Sequence, residues 1–488
     1  MNIFHYLLKK IFQILTILIP LICNGQKQGN IWYFGNHAGL DFNNNPPTSL
    51  LTGQTYMCCS RGWNEGCSSI SDSSGSLLFY TNGVKVWNRN QQVMPHGDSL
   101  MGNVSSTQSS LIVPQPGSNE YFYIFTTDAQ ENNFQNGLRY SKVDICLDGG
   151  FGDVLIGIDA NGSQKNRRLV DTTCEKLVCV RHSNGTDYWI ITHKFLSDAF
   201  YSFQLSSTGV SSAIVSHTGL IDSNGVGQMS ASPNGLKIGY AVPSGRNGFT
   251  LLADFDPLTG VVSNAQSLVI KGTEYAVSFS PDNSKLYFST AGHGNVYQYD
   301  LNAGNMAAII ASRYDFFYGP DSWRQMQLGP EGKLYLSRTG KSYVSAIEYP
   351  NNLGAAAIYT DSAIYLGGKL ASFGLPNFIA GYNYSNTFNN CVITGFNETS
   401  KTPDETLSQN IPNPASDFTR IEYKLPDVNK GGEIILYDLL GKEINRYILL
   451  ESTNSIIISV ANIPAGTYYY QLQTSGGNTA GKKLVVIK

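Results

Sequence analysis

An all-β fold is predicted for this chain by three observations. Charged residues are 14% of the 488 positions, well below the roughly 25% of ordinary soluble proteins. Gly at 49, Tyr at 29 and Phe at 23 supply tight turns and pleated surfaces rather than helix. A turn-plus-strand unit also recurs with a period in the forties, and repeats of that kind mark the blades of a propeller. The prediction is therefore a β-propeller, with seven blades favoured over six, followed by a small C-terminal β-sandwich.

Residues 1–25 come first. Lys9 and Lys10 precede a run from Ile11 to Ile22 that is apolar apart from Gln13 and Thr16, and Cys23, Asn24 and Gly25 follow. A charged start, a short apolar core and small residues make a secretory signal peptide, with cleavage expected after Gly25. The core is too short for a membrane span, which needs about 20 apolar residues. Lipid attachment at Cys23 is the weaker alternative, because Ile22 occupies a position that usually holds a small residue. No later stretch is apolar for long enough to serve as a transmembrane anchor.

Residues 26–384 carry the repeat. Ser232-Pro233-Asn234-Gly235-Leu236-Lys237-Ile238, Ser280-Pro281-Asp282-Asn283-Ser284-Lys285-Leu286 and Gly329-Pro330-Glu331-Gly332-Lys333-Leu334 align, with their prolines 48 and 49 residues apart. Each unit opens on a turn and continues in period-2 alternation, the pattern of a half-buried strand. Earlier copies stand at Asp72 to Tyr80, Gly117 to Phe122 and Asn184 to Trp189. A later part of the unit repeats as Phe255-Asp256-Pro257-Leu258-Thr259-Gly260 and Tyr299-Asp300-Leu301-Asn302-Ala303-Gly304. The 68-residue gap between Gly117 and Gly185 predicts an insertion or a degenerate extra blade. Closure is expected where Ile31-Trp32-Tyr33-Phe34 pairs near Leu375 to Ile379, since a closed ring leaves no sheet edge exposed.

Residues 385–406 are rich in Asn, Thr and Ser and read as a linker that cannot bury a core. Residues 407–488 return to β character at Ile421 to Leu425, Ile434 to Tyr437, Ile456 to Val460, Tyr468 to Leu472 and Leu484 to Ile487. Six or seven short strands over about eighty residues suit a β-sandwich.

Five blocks in this tail appear in a fixed order: Gln409-Asn410-Ile411-Pro412-Asn413-Pro414-Ala415, Ile421 to Pro426, Leu436 to Lys442, Gly466 to Tyr470, and Lys482 to Lys488. Together they resemble the type A C-terminal sorting domain of the Bacteroidetes type IX secretion system. The resemblance implies that Asn413, Pro414, Gly441, Gly466, Tyr468, Lys482 and Lys483 belong to the sorting signal. It implies the secretion machinery as a partner, and a destination outside the cell or on the outer-membrane surface. Residues 30 to 382 resemble the uncharacterised extracellular propellers that accompany such tails, through Asn30 to Gly35, Leu78 to Gly83, Ser105-Ser106-Thr107-Gln108-Ser109-Ser110 and Gly374 to Phe378. That likeness brings no activity with it, and a fold does not license one.

No catalytic constellation stands out in the sequence. Neither a G-x-S-x-G elbow nor an H-E-x-x-H pair occurs, and Gly476 to Lys482 fits a phosphate loop only up to Lys483, where Ser or Thr is needed. A net charge of −3 with no basic stripe argues against nucleic acid as a partner. The spacing of Cys58, Cys59 and Cys67 lacks paired C-x-x-C ligands, and no metal and no cofactor are expected. Losing Cys23 with the leader leaves an odd number of cysteines. Cys174 and Cys179 on one strand are too far apart to join, whereas Cys58 or Cys59 could close a loop to Cys67. The cluster of Glu175, Lys176, His182, Asp187, Trp189, His193 and Lys194 is the best candidate site. Trp189, Ile191 and His193 share a strand face, which with His182 could present an aromatic surface to a sugar. The competing reading is core packing for Trp189 and a structural hydrogen bond for His193. His293, between two glycines, reads as an exposed turn. These observations favour a non-catalytic propeller binding a glycan or protein ligand by loops at one channel end. A propeller hydrolase or lyase acting on polysaccharide or another polymer is the alternative.

Overall fold

The computed structural model describes residues 26–56, 65–159, 162–244, 248–270, 273–290, 295–317, 323–385, 407–425, 431–439, 441–449, 454–474, 477–478 and 481–488. The expected leader and most of the expected linker lie outside these residues, as does His293. The chain divides into two compact units, residues 1–391 and 392–488.

In the first unit, seven antiparallel sheets follow one another along the described chain. Blade 1 is Ile31–Phe34, Ala38–Asp41 and Thr48–Leu50, and blade 2 is Ser68–Ser71, Leu77–Thr81 and Val86–Asn88. Blade 3 is Ser110–Pro114, Tyr121–Thr127 and Leu138–Asp144, edged by two short pieces, Asp153–Val154 and Arg167–Val170. Blade 4 is Thr173–Arg181, Tyr188–Lys194, Ala199–Ser206 and Gly209–His217. Blade 5 is Met229–Ala231, Lys237–Val242, Phe249–Phe255 and Val262–Ile270. Blade 6 is Glu274–Phe279, Lys285–Thr290, Asn295–Asp300 and Tyr314–Phe317, with a helical turn at Met306–Ala311. Blade 7 is Trp323–Leu328, Leu334–Arg338, Tyr343–Ile347 and Tyr359–Tyr365.

The innermost strands pack against one another in chain order, which makes the array radial. Aromatic rings fill the wedges between blades: Tyr33 meets Tyr80 at 4.5 Å, Phe79 meets Phe122 at 5.4 Å and Phe200 meets Tyr240 at 5.7 Å. Trp32 of blade 1 meets Tyr335 of blade 7 edge-on at 5.8 Å, and this contact closes the ring. The architecture is a seven-bladed β-propeller.

The repeated Ser-Pro-Asx turn joins the first and second strands of a blade. Ser232 Oγ accepts the Lys237 N–H at 2.9 Å and Ser280 Oγ accepts the Lys285 N–H at 2.9 Å. A side chain thus does the work of a backbone acceptor where the chain reverses. Blade 1 escapes the sequence repeat because its first two strands are joined by only Gly35, Asn36 and His37. The long gap after Gly117 is an insertion in blade 3, whose outer edge is split by residues 155–166, and not an extra blade.

Closure differs from expectation in one respect. Strand Ile31–Phe34 pairs with its own neighbour Ala38–Asp41, and Leu375 to Ile379 is not its hydrogen-bonding partner. Pro376 bridges Cys67 instead, and Asn377 N–H donates to the Cys67 carbonyl at 2.8 Å. The segment from Leu370 to Ser385 leaves blade 7 and reaches inward across the ring. It bridges Asn36 of blade 1, bonds blade 4 through Asn377 Nδ2 and the Leu177 carbonyl at 2.8 Å, and bonds blade 5 through Asn383 Nδ2 and the Pro233 carbonyl at 2.8 Å. Phe378 meets Trp32 at 5.7 Å with the rings tilted, so this residue ties the segment to the first strand by rings rather than by a ladder.

In the second unit two sheets face a common core. One pairs Phe418–Glu422 with Ser455–Ser459. The other orders Glu443–Leu449, Gly432–Tyr437, Gly466–Thr474 and Lys482–Val486 side by side. Ile421, Ile434, Leu436, Ile458, Tyr470, Leu472 and Leu484 are buried between them. It is a small β-sandwich.

Candidate functional site

The residues singled out in blade 4 separate into two faces. Trp189 is 4% exposed, stacks on His182 at 5.4 Å and donates Nε1–H to the Pro257 carbonyl at 3.0 Å. A Cβ on Gly260 would lie 2.6 Å from the Trp189 ring, so the turn of blade 5 needs glycine there both for space and for its φ of +76°. His182 Nδ1 accepts the Asn184 N–H at 2.9 Å, and Asp187 turns to the Asn184 and Gln204 amides. His193 is fully buried against Phe200 and Tyr240. The shared face of Trp189, Ile191 and His193 is thus core between blades 4 and 5, and blade 5 covers the surface on which a sugar was expected to stack.

Successive residues of the strand Thr173–Arg181 reach different partners. Lys176 points with His193 and Cys174 toward Asp222, while Glu175 points into the ring toward blade 3. Cys174 Sγ lies 3.8 Å from His193 Nδ1 and 3.5 Å from Asp222 Oδ2. Asp222 Oδ2 also accepts the Tyr240 hydroxyl at 2.7 Å and faces Lys176 Nζ at 3.4 Å. Burial alone would raise the Asp222 pKa, but Lys176, the Gly225 N–H and Tyr240 together hold it below the usual carboxylate range. Burial lowers His193 to about 4 despite the Asp222 charge, so the imidazole is neutral. Burial also pushes the Cys174 thiol up. The 19- and 29-residue separations of these groups hide the cluster from any reading of spacing.

At the channel end where the innermost strands begin, a second set of buried groups converges. Tyr275 hydroxyl donates to Glu65 and lies 3.2 Å from Thr107 Oγ1, which donates to Glu175 Oε2 at 2.7 Å. Glu175 further accepts the Thr107 and Gln130 N–H groups, each at 2.9 Å. Burial raises Glu175 to about 7 against these hydrogen bonds. Burial and the neighbouring Glu65 likewise raise Tyr275. An amide network continues down the channel. Gln108 bonds both ends of its amide to Leu177 and Met229, Gln228 does so with Met326, and Gln325 ties Thr107 to Leu375. One pocket among these residues, lined by Gln108, Gln228, Gln327, Asn377, Phe378 and Tyr382 among others, measures about 40 Å3. That is room for a few waters and no more. Thr107, Gln108 and Asn377 lie in blocks already noted in the sequence. Glu65, Asp222 and Tyr275 were not singled out there, because only closure of the ring brings them together.

Of the described cysteines, Cys67, Cys174 and Cys179 are free and buried, so Cys67 does not close a loop to Cys58 or Cys59. Cys146 is disulfide-bonded, and its partner lies outside the described residues. Among the described residues no helix is long and apolar enough to cross a membrane.

In the sandwich, Asn413 clamps the final strand: its Nδ2 donates to the Lys483 carbonyl and its Oδ1 accepts the Val485 N–H, both at 2.8 Å. Pro414 is exposed beside it, and Ala415 bridges Val486. Gly441 turns at φ +77° between strands, where its N–H meets the Asp438 carbonyl. Gly466 opens the long central strand, and Tyr468, 7% exposed, donates to the Pro464 carbonyl at 2.9 Å. Lys482 and Lys483 start the last strand, paired opposite Tyr470 and Tyr469.

Comparison with known proteins places this unit. Residues 411–488 match the family of the secretion system C-terminal sorting domain. No curated protein matches the chain. Solved structures that resemble it include hydrazine synthase of Kuenenia stuttgartiensis, 12% identical with a TM-score of 0.36 over 64% of this chain and 86% of that one. The periplasmic gluconolactonase of Pseudomonas aeruginosa is 11% identical with a TM-score of 0.34, over 83% and 98%. A putative 6-phosphogluconolactonase of Bacteroides fragilis is 12% identical with a TM-score of 0.35, over 82% and 99%. At these scores the likenesses carry no functional argument. The sandwich is therefore a type IX secretion C-terminal sorting domain, and it directs the chain to the cell surface or the extracellular space.

Proposed function

We propose that the propeller is a non-catalytic binding module, exported by its tail, that takes a glycan or protein ligand on loops at one end of its channel. The observation that carries this reading is the filled channel. The chain's own segment Leu370 to Ser385 and the Gln108, Gln228 and Gln325 amides occupy the axis, and the pocket between them measures about 40 Å3. A sugar ring or a peptide side chain needs far more, since ligand pockets run to about 300 Å3 and above. Recognition then falls to the rim, where Gln130 and Glu131 are exposed and Asn103, Ser105 and Asn224 are half-buried. Ser105 Oγ donates to Glu131 at 2.8 Å and Gln130 Nε2 reaches the Asn224 carbonyl at 3.2 Å, so the rim is a connected polar surface suited to hydroxyl-rich or peptide ligands.

One observation favours hydrolysis as the second reading. Glu65 and Glu175 approach each other through the Tyr275 and Thr107 hydroxyls, and a pair of carboxyl groups is the usual equipment of a glycosidase. Both carboxylates are buried and hydrogen-bonded within the protein, which supports a structural role for them. The test is a glycan array probed with the full chain, followed by mass spectrometry of each bound glycan. Binding of an unchanged glycan is expected. Shortened products that disappear in Glu65→Gln and Glu175→Gln would replace the binding reading with the hydrolytic one.

A further inference from the structure

Cys174, His193 and Asp222 come from three segments: the innermost strand of blade 4, its second strand, and the loop ahead of blade 5. All three side chains are fully buried, and one ligand atom from each lies within 4.8 Å of the others. Zinc bound tetrahedrally, with Zn–S near 2.3 Å and Zn–N or Zn–O near 2.0 Å, sets its donors roughly 3.3 to 3.6 Å apart. The observed Sγ···Nδ1 and Sγ···Oδ2 separations of 3.8 and 3.5 Å meet that requirement within a few tenths of an ångström. His193 turns Nδ1 to the cluster, and its Nε2 is buried with no hydrogen-bond partner among the described residues. Asp222 Oδ1 is pinned by the Asn224 and Gly225 N–H groups at 2.9 and 2.7 Å, which aims Oδ2 at the cluster as an orienting outer shell does. Among the described residues, the other two free thiols, Cys67 and Cys179, have no such grouping around them.

We propose that Cys174, His193 and Asp222 form a buried zinc site between blades 4 and 5. One thiolate, one imidazole and one carboxylate make the mixed soft and hard donor set that zinc accepts. The Tyr240 hydroxyl, 2.7 Å from Asp222 Oδ2 and 3.9 Å from Cys174 Sγ, stands beside the fourth position. Binding releases the thiol proton to solvent, the thiolate and carboxylate offset the two charges of the metal, and the buried Lys176 ammonium, 3.4 Å from Asp222 Oδ2, leaves the cluster with one positive charge. Lys176 keeps its bond to the Val226 carbonyl at 2.6 Å. The site is closed, so zinc enters while blades 4 and 5 assemble and ties them together.

The test unfolds the full chain in chelator and refolds it with zinc or with cobalt as a spectroscopic substitute. About one metal per chain is expected, with a thiolate-to-cobalt charge-transfer band and the intense visible bands of tetrahedral cobalt. Cys174→Ser should abolish the charge-transfer band, and Cys179→Ser should leave it intact. Zinc-edge X-ray absorption on the unmutated chain covers the case in which Cys174→Ser does not fold: a shell of one sulfur with two or three N or O donors is expected. The site is refuted by a natively folded chain that retains no metal, by a Cys174→Ser chain that keeps the band, or by a shell without sulfur.

Discussion

A single methyl group placed on Gly374 tests whether the inward segment is a structural part of the channel. A Cβ there would lie 1.5 Å from the Glu65 carbonyl oxygen and 2.3 Å from its carbon, both backbone atoms. Side-chain carbons do not approach closer than 3.0 Å, so the segment or Glu65 must move by about 1.5 Å. Such a shift carries the Leu375 N–H bond to Gln325 Oε1, now 2.5 Å, and the Asn377 N–H bond to Cys67, now 2.8 Å, out of hydrogen-bonding range. Two buried hydrogen bonds left unmade cost about 1–3 kcal/mol each, so Gly374→Ala should lose about 4 kcal/mol. With an unfolding entropy of about 2.1 cal/mol/K per residue over the propeller, Tm falls by about 5 °C. Tryptophan fluorescence isolates this transition, because all five tryptophans lie between positions 32 and 323 and the sorting domain has none. Gly340→Ala serves as the control: its φ is +73° with nothing within 4 Å, so only backbone strain of about 1–2 kcal/mol applies. A Gly374→Ala chain whose Tm matches that of the parent would remove the filled channel and, with it, the support for rim binding.

Three further outcomes follow from the structure. Glu274 is 3% exposed and its Oε2 has no hydrogen-bond partner among the described residues, and burial raises its pKa, partly offset by backbone N–H groups and Arg313. A raised carboxyl pKa means that the fold favours the neutral acid, so the associated stability is full below the unfolded pKa and is lost as pH rises through the folded one. Glu274→Gln should therefore gain stability relative to the parent between about pH 4 and neutrality, and parallel pH–Tm curves for the two chains would count against this. A reporter carrying an N-terminal leader and residues 407–488 should leave a type IX-competent cell. Asn413→Ala, which frees the final strand at Lys483 and Val485, should weaken that sandwich by about 1–2 kcal/mol in urea unfolding. Retention of the unmutated fusion in the periplasm would refute the sorting role of this unit.

Much of the architecture is readable from the chain because it rests on local chemistry. The Ser-Pro-Asx turns and alternating strands are satisfied within a single blade, so each repeat announces itself wherever a side chain must supply the turn's acceptor. Blade 1 stays silent since Gly35, Asn36 and His37 reverse the chain without such a turn. The sorting domain is likewise declared by ordered blocks whose residues, Asn413 and Tyr468 among them, bond to the backbone of their own small sandwich. What only tertiary structure decided is which polar groups meet. Glu65, Thr107, Glu175 and Tyr275 lie on four different segments, and Cys174, His193 and Asp222 on three, so no spacing encodes them. Period-2 alternation tells which residues share a strand face, as Trp189 and His193 do. Whether that face meets water or the next blade depends on closure of the whole ring, and here the ring closes over it.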